Sequence, residues 1–216
     1  MMIDVVTIDG PVASGKSSVA KALAQHLQFK HLNTGLLYRA AAYLAADQEP
    51  GDFAWLADVR YDFADGQPVI FWRGQRLANS FLYSPVMDQA ASLLSADAAL
   101  RALLLPIQRE VAQRYHLIAD GRDCGSVVFP DATVKIFLTA TPRVRAERLK
   151  CSTERDYAGM SIEAITAEVR ARDARDQERA VAPLVVPKGA TIIDSSDLSF
   201  AQTVAKCLAL VQEHQM

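Results

Sequence analysis

The sequence predicts an α/β fold built on a central parallel sheet, and two patterns carry that expectation. Near the start, a run rich in β-branched residues (3–9), a glycine loop (10–15) and a stretch with Val19, Leu23 and Leu27 at helical spacing follow one another as strand, loop and helix. From His116 onward, apolar strand-like runs again alternate with helix-like stretches. The opening helix spans residues 17–27. Residues 116–120 and 134–138 read as further strands, and Pro142 suits the first turn of a helix reaching about residue 149. Ser161 is placed as the N-cap of a helix to about Asp176, with Glu163 at its positive end. Residues 191–194 form a last short strand, and Ser199 with Gln202 fits a capping box for the final helix.

The middle follows another pattern. Residues 59–64, 69–72 and 75–77 read as short strands joined by tight turns at Asp65-Gly66 and Arg73-Gly74. Helices are expected at 85–96 and 98–114, with Pro106 kinking or splitting the second. This stretch reads as an insertion on the core.

Composition narrows the function classes. Half of the 216 residues are hydrophobic, enough for one sizeable core, and the formal net charge is −2. Such a balance offers no broad basic field for nucleic acid. Basic residues interleaved with acids do gather between Arg143 and Arg179, a pattern suited to a small anion. Cys124, Cys151 and Cys207 are far apart, which points to reduced thiols in the cytoplasm and away from a disulfide frame or zinc site. The apolar start is too short for a secretory signal and is broken by Asp4; no run approaches the ~18 apolar residues of a membrane span.

Gly10-Pro11-Val12-Ala13-Ser14-Gly15-Lys16-Ser17 fits the pattern G-x-x-x-x-G-K-[ST]. Glycines let backbone N–H groups turn toward phosphate oxygens, and the following helix adds its positive end. Lys16 is placed to reach the β- and γ-phosphates of ATP, and Ser17 to hold Mg²⁺, with Ser18 as its rival. The loop alone does not separate kinases from switches or motors. The absence of an N-K-x-D guanine-reading motif favours a small kinase.

Further clusters suit a second, anionic substrate. Thr34 and Gly35 offer a hydroxyl and an N–H at a helix start, with Arg39 one turn on. Asp120-Gly121-Arg122-Asp123 follows a strand, where open α/β sheets bind ligands. Asp120 is placed to hold magnesium through water, with Arg122 and Asp123 as cation and acceptor on the same edge. Arg172, Asp176 and Arg179 are spaced four and three apart on one helix face, which Arg175 joins; a surface salt-bridge ladder is the competing explanation. Ser92 and Arg101 are uninformative by themselves.

With these residues in hand, the chain resembles the bacterial cytidylate kinases, which are nucleoside monophosphate kinases. The matching pieces are Ile8-Asp9-Gly10-Pro11 with the phosphate loop, Thr34-Gly35-x-x-Tyr38-Arg39, and Asp120-Gly121-Arg122-Asp123. Residues 127–132, the stretch from Arg172-Asp173 to Pro183-Leu184, and Ile193-Asp194-Ser195-Ser196 complete the series in family order. The resemblance implies a three-layer P-loop NTPase fold with a central parallel sheet, in one kinase domain over residues 1–216. It implies a nucleotide-monophosphate region at about 33–100, holding a large mixed insert at about 46–76, and a short lid at about 150–161.

It also implies MgATP and CMP or dCMP as substrates for a monomer. Thr34, Arg39 and Arg122 match phosphate-holding positions, Ser92, Arg101, Asp123 and Arg179 those that read cytosine, and Arg172 and Asp176 those at the ribose. Lys16, Arg122 and the lid arginines Arg148 and Arg155 are the groups that spread over charge developing during transfer. Three positions depart from the family pattern: Asn33 and Thr139 stand where aspartate is usual, and Leu149 where a second lid arginine often follows Arg148. Other acceptors (UMP, dTMP or a small metabolite) and a nucleotide-binding regulator that has lost chemistry stay open.

Overall fold

The computed structural model describes residues 4–49, 51–152, 157 and 159–215. β1 (Val5–Asp9) is buried at every residue, as a strand covered on both faces must be. It enters the glycine loop and then α1 (Lys16–Leu27), whose buried stripe is Val19, Ala20, Leu23 and Ala24. The chain returns as β2 (Lys30–Asn33) and leaves through α2 (Thr34–Ala45).

The insertion is a separate antiparallel sheet of β3 (Val59–Ala64), β4 (Gln67–Trp72) and β5 (Gln75–Arg76). Its turns place Asp65-Gly66 and Arg73-Gly74 at positive φ, the geometry that lets two-residue hairpins follow strand twist. Three helices follow: α3 (Asn79–Leu82), α4 (Pro85–Leu94) and α5 (Ala98–Val111). α5 runs through Pro106 without splitting. The carbonyl of Ala102, which loses its donor there, belongs to an exposed residue, as does Pro106 itself, so water can take over the bond.

β6 (Leu117–Gly121) and β7 (Val134–Thr139) then flank β1, followed by α6 (Pro142–Lys150), α7 (Ile162–Gln177), β8 (Thr191–Asp194) and α8 (Phe200–Gln215). Ser161 caps α7 by accepting from the N–H of Ala164 at 3.1 Å. The capping box ahead of α8 is reciprocal: Gln202 N–H donates to Ser199 Oγ, and Ser199 N–H to Gln202 Oε1.

The core sheet is parallel, in the order β2-β6-β1-β7-β8. Alternate strand residues feed opposite layers, as the two-residue repeat of a strand requires. Val6 and Ile8 pack with Leu23 of α1 and Val211 of α8, whereas Val5 joins Leu36 of α2 and Leu104 of α5 on the other face. A third apolar cluster (Val12, Ala146, Leu149, Ile165 and Val169) seats the glycine loop on α6 and α7. The chain goes to one side of β1 for β2 and β6 and crosses to the other for β7 and β8. The carboxyl end of β1 is therefore a switch point, where α/β sheets open a crevice. No single helix among the described residues is long and apolar enough to cross a membrane.

Candidate active site

The glycine loop leaves β1 at this crevice. Gly10 is at φ +151, and a Cβ there would stand 2.0 Å from the carbonyl oxygen of Leu138 on β7; only glycine fits without a backbone shift. Ala13 (φ 58) and Gly15 (φ 93) take left-handed conformations that curl the loop ahead of α1. Lys16, the first residue of α1, folds back so that Nζ donates to Pro11 O at 2.7 Å. Burial, and next the charge of Arg122, push its ammonium well below the usual lysine range. Asp120 and Asp176 offset this only in part.

Ser17 Oγ donates to one carboxylate oxygen of Asp120 at 2.7 Å, and His31 Nε2 bonds the other at 2.6 Å. Burial alone would raise the Asp120 pKa; the bond and charge of His31, then the Ser17 hydroxyl, hold it below the usual carboxylate range. The sequence reading missed His31 because it missed β2, the strand that carries it. Asn33, at the end of β2, caps α2 by accepting from Leu36 N–H, a bond an aspartate would also make. Thr34 Oγ1 donates to the Asp120 carbonyl at 2.8 Å, pinning α2 to β6.

Asp9 closes β1 by accepting from the N–H groups of both Cys124 and Gly125, at 2.8 and 2.7 Å. Burial pushes its carboxyl up to about 6 against these bonds. Asp9 thus ties the loop carrying Arg122 and Asp123 to the strand that leads into the phosphate loop.

Opposite the phosphate loop, buried ion pairs line the crevice. Arg101 Nη2 donates to Asp123 at 2.5 Å and Nη1 to the Ser95 carbonyl, while its guanidinium sits 5.3 Å from the centre of the Tyr38 ring. Arg122 Nε donates to Asp176 at 2.7 Å. Burial works against the Asp176 charge, but Arg122 holds its pKa below the usual range. Arg179 lies beyond the end of α7 and donates from Nε to the Asp176 carbonyl at 3.3 Å. Burial, then Arg101, lower its pKa, and its Nη2 is buried without a hydrogen-bond partner. The Ser92 hydroxyl is likewise buried and unsatisfied. Unpaired polar groups in a cavity wall are what a bound polar ligand completes. Arg39 of α2 pairs with Asp88 of α4 at 3.0 Å and lies over the Tyr83 ring, and Arg172 of α7 stands 3.5 Å from the other oxygen of Asp88.

One cavity of about 510 Å³ joins the two sets. It is lined by Val12, Ala13, Gly15, Lys16, Ser17 and Ser18 at one end, and by Thr34, Arg39, Ser92, Arg101, Asp120, Arg122, Asp123, Arg172, Asp176 and Arg179 beyond. Arg148 lines it too, tethered to the carbonyl oxygens of Ser14 (3.2 Å) and Ser195 (2.7 Å). Gly10, Pro11 and Ser14 shape the loop from behind rather than lining the cavity. Arg155, and with it part of the stretch expected to be the lid, lies outside the described residues.

Two sequence expectations need correction. Arg175 is exposed and outside the cavity wall, because a step of three residues turns it about 60° from Arg172 on the side opposite to Asp176. Asp176 is buried and paired with Arg122 across the cavity, which rules out the surface-ladder explanation for that aspartate. Asp88 and Arg145 were not singled out from the sequence. Arg145 braces the loop from below, donating to the carbonyls of Val12 and Ala140 and to Asp173; no motif marks it. Leu149 is buried against the Val12 cluster, packing beneath the loop where an arginine would bring charge.

The switch-point crevice, the phosphate loop and the cationic wall facing it define a P-loop kinase. A family model described as cytidylate kinase matches residues 6–213. The cytidylate kinase of Chlamydia trachomatis serovar D is 44% identical over 97% of this chain and 99% of the relative, and that of Chlamydia pneumoniae is 42% identical over 98% and 100%. The chain belongs to the cytidylate kinase family. Among solved structures, an uncharacterized protein from Eubacterium ventriosum superposes with a TM-score of 0.56 at 14% identity, covering 99% of both chains. TT1252 from Thermus thermophilus does so at 0.53 and 18%, covering 100% of both. These two likenesses speak to the fold.

Proposed function

We propose that this chain transfers the γ-phosphoryl group of ATP to CMP and dCMP, giving ADP with CDP or dCDP. The observation that carries the reading is the continuity of one cavity from the phosphate loop to the buried, incompletely bonded wall of Ser92, Arg101, Asp123 and Arg179. ATP phosphates take the N–H groups of the loop residues that face the cavity, among them Ala13, Gly15, Lys16, Ser17 and Ser18, and Lys16 turns from Pro11 O to the β- and γ-phosphates. Ser17 and Asp120 offer hard oxygen donors at that end, a set that suits Mg²⁺. Ser17 directly and Asp120 through water would hold such an ion, and the chemistry it would supply is neutralisation of phosphate charge.

At the other end, Asp123 accepts from the exocyclic amine of cytosine, while Arg101, Arg179 and Ser92 donate toward N3 and O2. Uracil would set O4 against the Asp123 carboxylate, a mismatch in a buried site. Arg172 and Asp176 take the ribose, and Thr34, Arg39 and Arg122 the acceptor phosphate. That phosphate oxygen is already anionic near neutral pH, so no general base is required. Catalysis is in-line positioning plus charge neutralisation by Lys16, Arg122 and Arg148, aided by Arg155. We take the enzyme to act as a monomer in the cytoplasm, and the net charge of −2 offers no broad basic field for nucleic acid.

Phosphorus NMR of the protein with MgATP and CMP tests the reaction. Equal amounts of ADP and CDP are expected. ADP with inorganic phosphate and no CDP would show hydrolysis instead and overturn the reading.

A further inference from the structure

Among the described residues, Asp88 is the carboxylate in the cavity wall that the proposed reaction does not use. It lies in the first turn of α4, behind the Ser84 cap, and its side chain is only 15% exposed. One oxygen accepts from Arg39 Nη1 at 3.0 Å, and the other lies 3.5 Å from Arg172 Nη1. Those arginines come from α2 and α7, so this single carboxylate joins three helices across the cavity. A planar anion that gives one oxygen to each of two guanidinium groups reproduces the way a phosphate bridges a pair of arginines.

We propose that Asp88 is a built-in occupant of the acceptor site where its phosphate and ribose subsites meet, holding Arg39 of the first and Arg172 of the second together until the nucleotide, phosphate first, displaces it. The proposal rests on the reading of that site given above and adds the residue that sets its affinity. Two desolvated cations side by side repel each other unless an anion sits between them. Asp88 supplies that anion in the empty site and keeps both guanidinium groups in place. An incoming phosphate must replace an ion pair rather than meet bare arginines, so its net gain is smaller. A nucleoside monophosphate recovers the difference through its base and ribose contacts, whereas free inorganic phosphate cannot. Asp88 therefore favours the nucleotide over the small anions abundant around it. Its displacement also frees the first turn of α4, the helix that presents Ser92 to the base.

The test is a comparison of wild type, Asp88→Asn and Asp88→Ser, each first checked for an unchanged melting profile. CMP affinity is read from titrations, and inorganic phosphate is the probe, read as a competitive inhibitor against CMP. Both variants are expected to bind CMP about tenfold more tightly and to be inhibited by phosphate at concentrations lower by at least the same factor, with ATP affinity unchanged. A role limited to packing α4 would not make inorganic phosphate a better inhibitor. If CMP affinity is unchanged or weaker in both variants while wild type turns CMP over, the Asp88 proposal fails and the acceptor site stands. If wild type neither binds nor phosphorylates CMP, the acceptor-site reading fails first and takes the proposal with it.

Discussion

The two ends of the cavity are built by opposite means. The end proposed for ATP is one continuous segment, which offers mainly backbone groups and keeps most side chains out of the way. Gly10 fits beneath Leu138 O, Ala13 and Gly15 curl the chain, and Lys16 follows at once. The acceptor end draws on α2, α4, α5, the turn after β6, and α7 with its C-terminal turn, and its working atoms are side-chain groups locked in ion pairs. A contiguous backbone site tolerates little change in shape. A dispersed side-chain site can be retuned one residue at a time.

Variants at the ATP end should therefore show the largest effects. Lys16→Ala removes the ammonium buried beside the phosphate loop and should cut kcat about a thousandfold, with melting temperature and CMP affinity little changed. Near-normal turnover would move the ATP phosphates elsewhere. Gly10→Ala must push a backbone carbonyl aside and should cost about 3 kcal/mol or more, lowering Tm by several degrees in thermal unfolding. Leu149→Ala opens space under Val12 and should cost about 2 kcal/mol in urea unfolding. If it costs nothing, the apolar seat of the loop is not what holds it.

At the acceptor end the effects are smaller but more specific. Asp123→Asn removes the amine acceptor and should lower the kcat/KM ratio of CMP over UMP about tenfold, while ATP affinity stays put. The smallest expected effect is a pH trend. Asp9 has a folded pKa of about 6 against an ordinary 3.8, so the folded state holds its proton more tightly and this group's contribution to stability falls as pH rises through that window. Asp120 and Asp176 are shifted the other way, so their contribution is present above the ordinary carboxylate pKa and is lost only as pH falls through their lowered values. The stability of wild type relative to Asp9→Asn should thus decline from pH 4 to pH 6. A flat difference would remove the burial argument for Asp9.

The same contrast explains what the sequence made legible. Strand, glycine loop and helix leave a periodic signature, and the capping boxes and hairpin turns are equally local. β2 was missed because it is a four-residue edge strand that begins with Lys30 and His31, too short and too polar to show a pattern. Its loss hid the His31–Asp120 bond. The turn at 124–128 was invisible for another reason: Gly125 is required by Thr7 and Asp9, more than a hundred residues earlier. The acceptor residues were named through resemblance to the family, since nothing in the local pattern of Ser92 or Arg101 distinguishes a cavity wall from a helix surface. Asp88 had neither aid. An acid in the first turn of a helix is ordinary chemistry at a positive helix end, and only the fold brings Arg39 and Arg172 to it.

The most direct measurement is the rate of ADP release from MgATP with CMP, dCMP, UMP, dTMP and AMP offered in turn. Fast turnover with CMP and dCMP is expected, with kcat/KM for UMP lower by about tenfold or more. Equal rates with CMP and UMP would contradict the assignment of Asp123 as the reader of the cytosine amine.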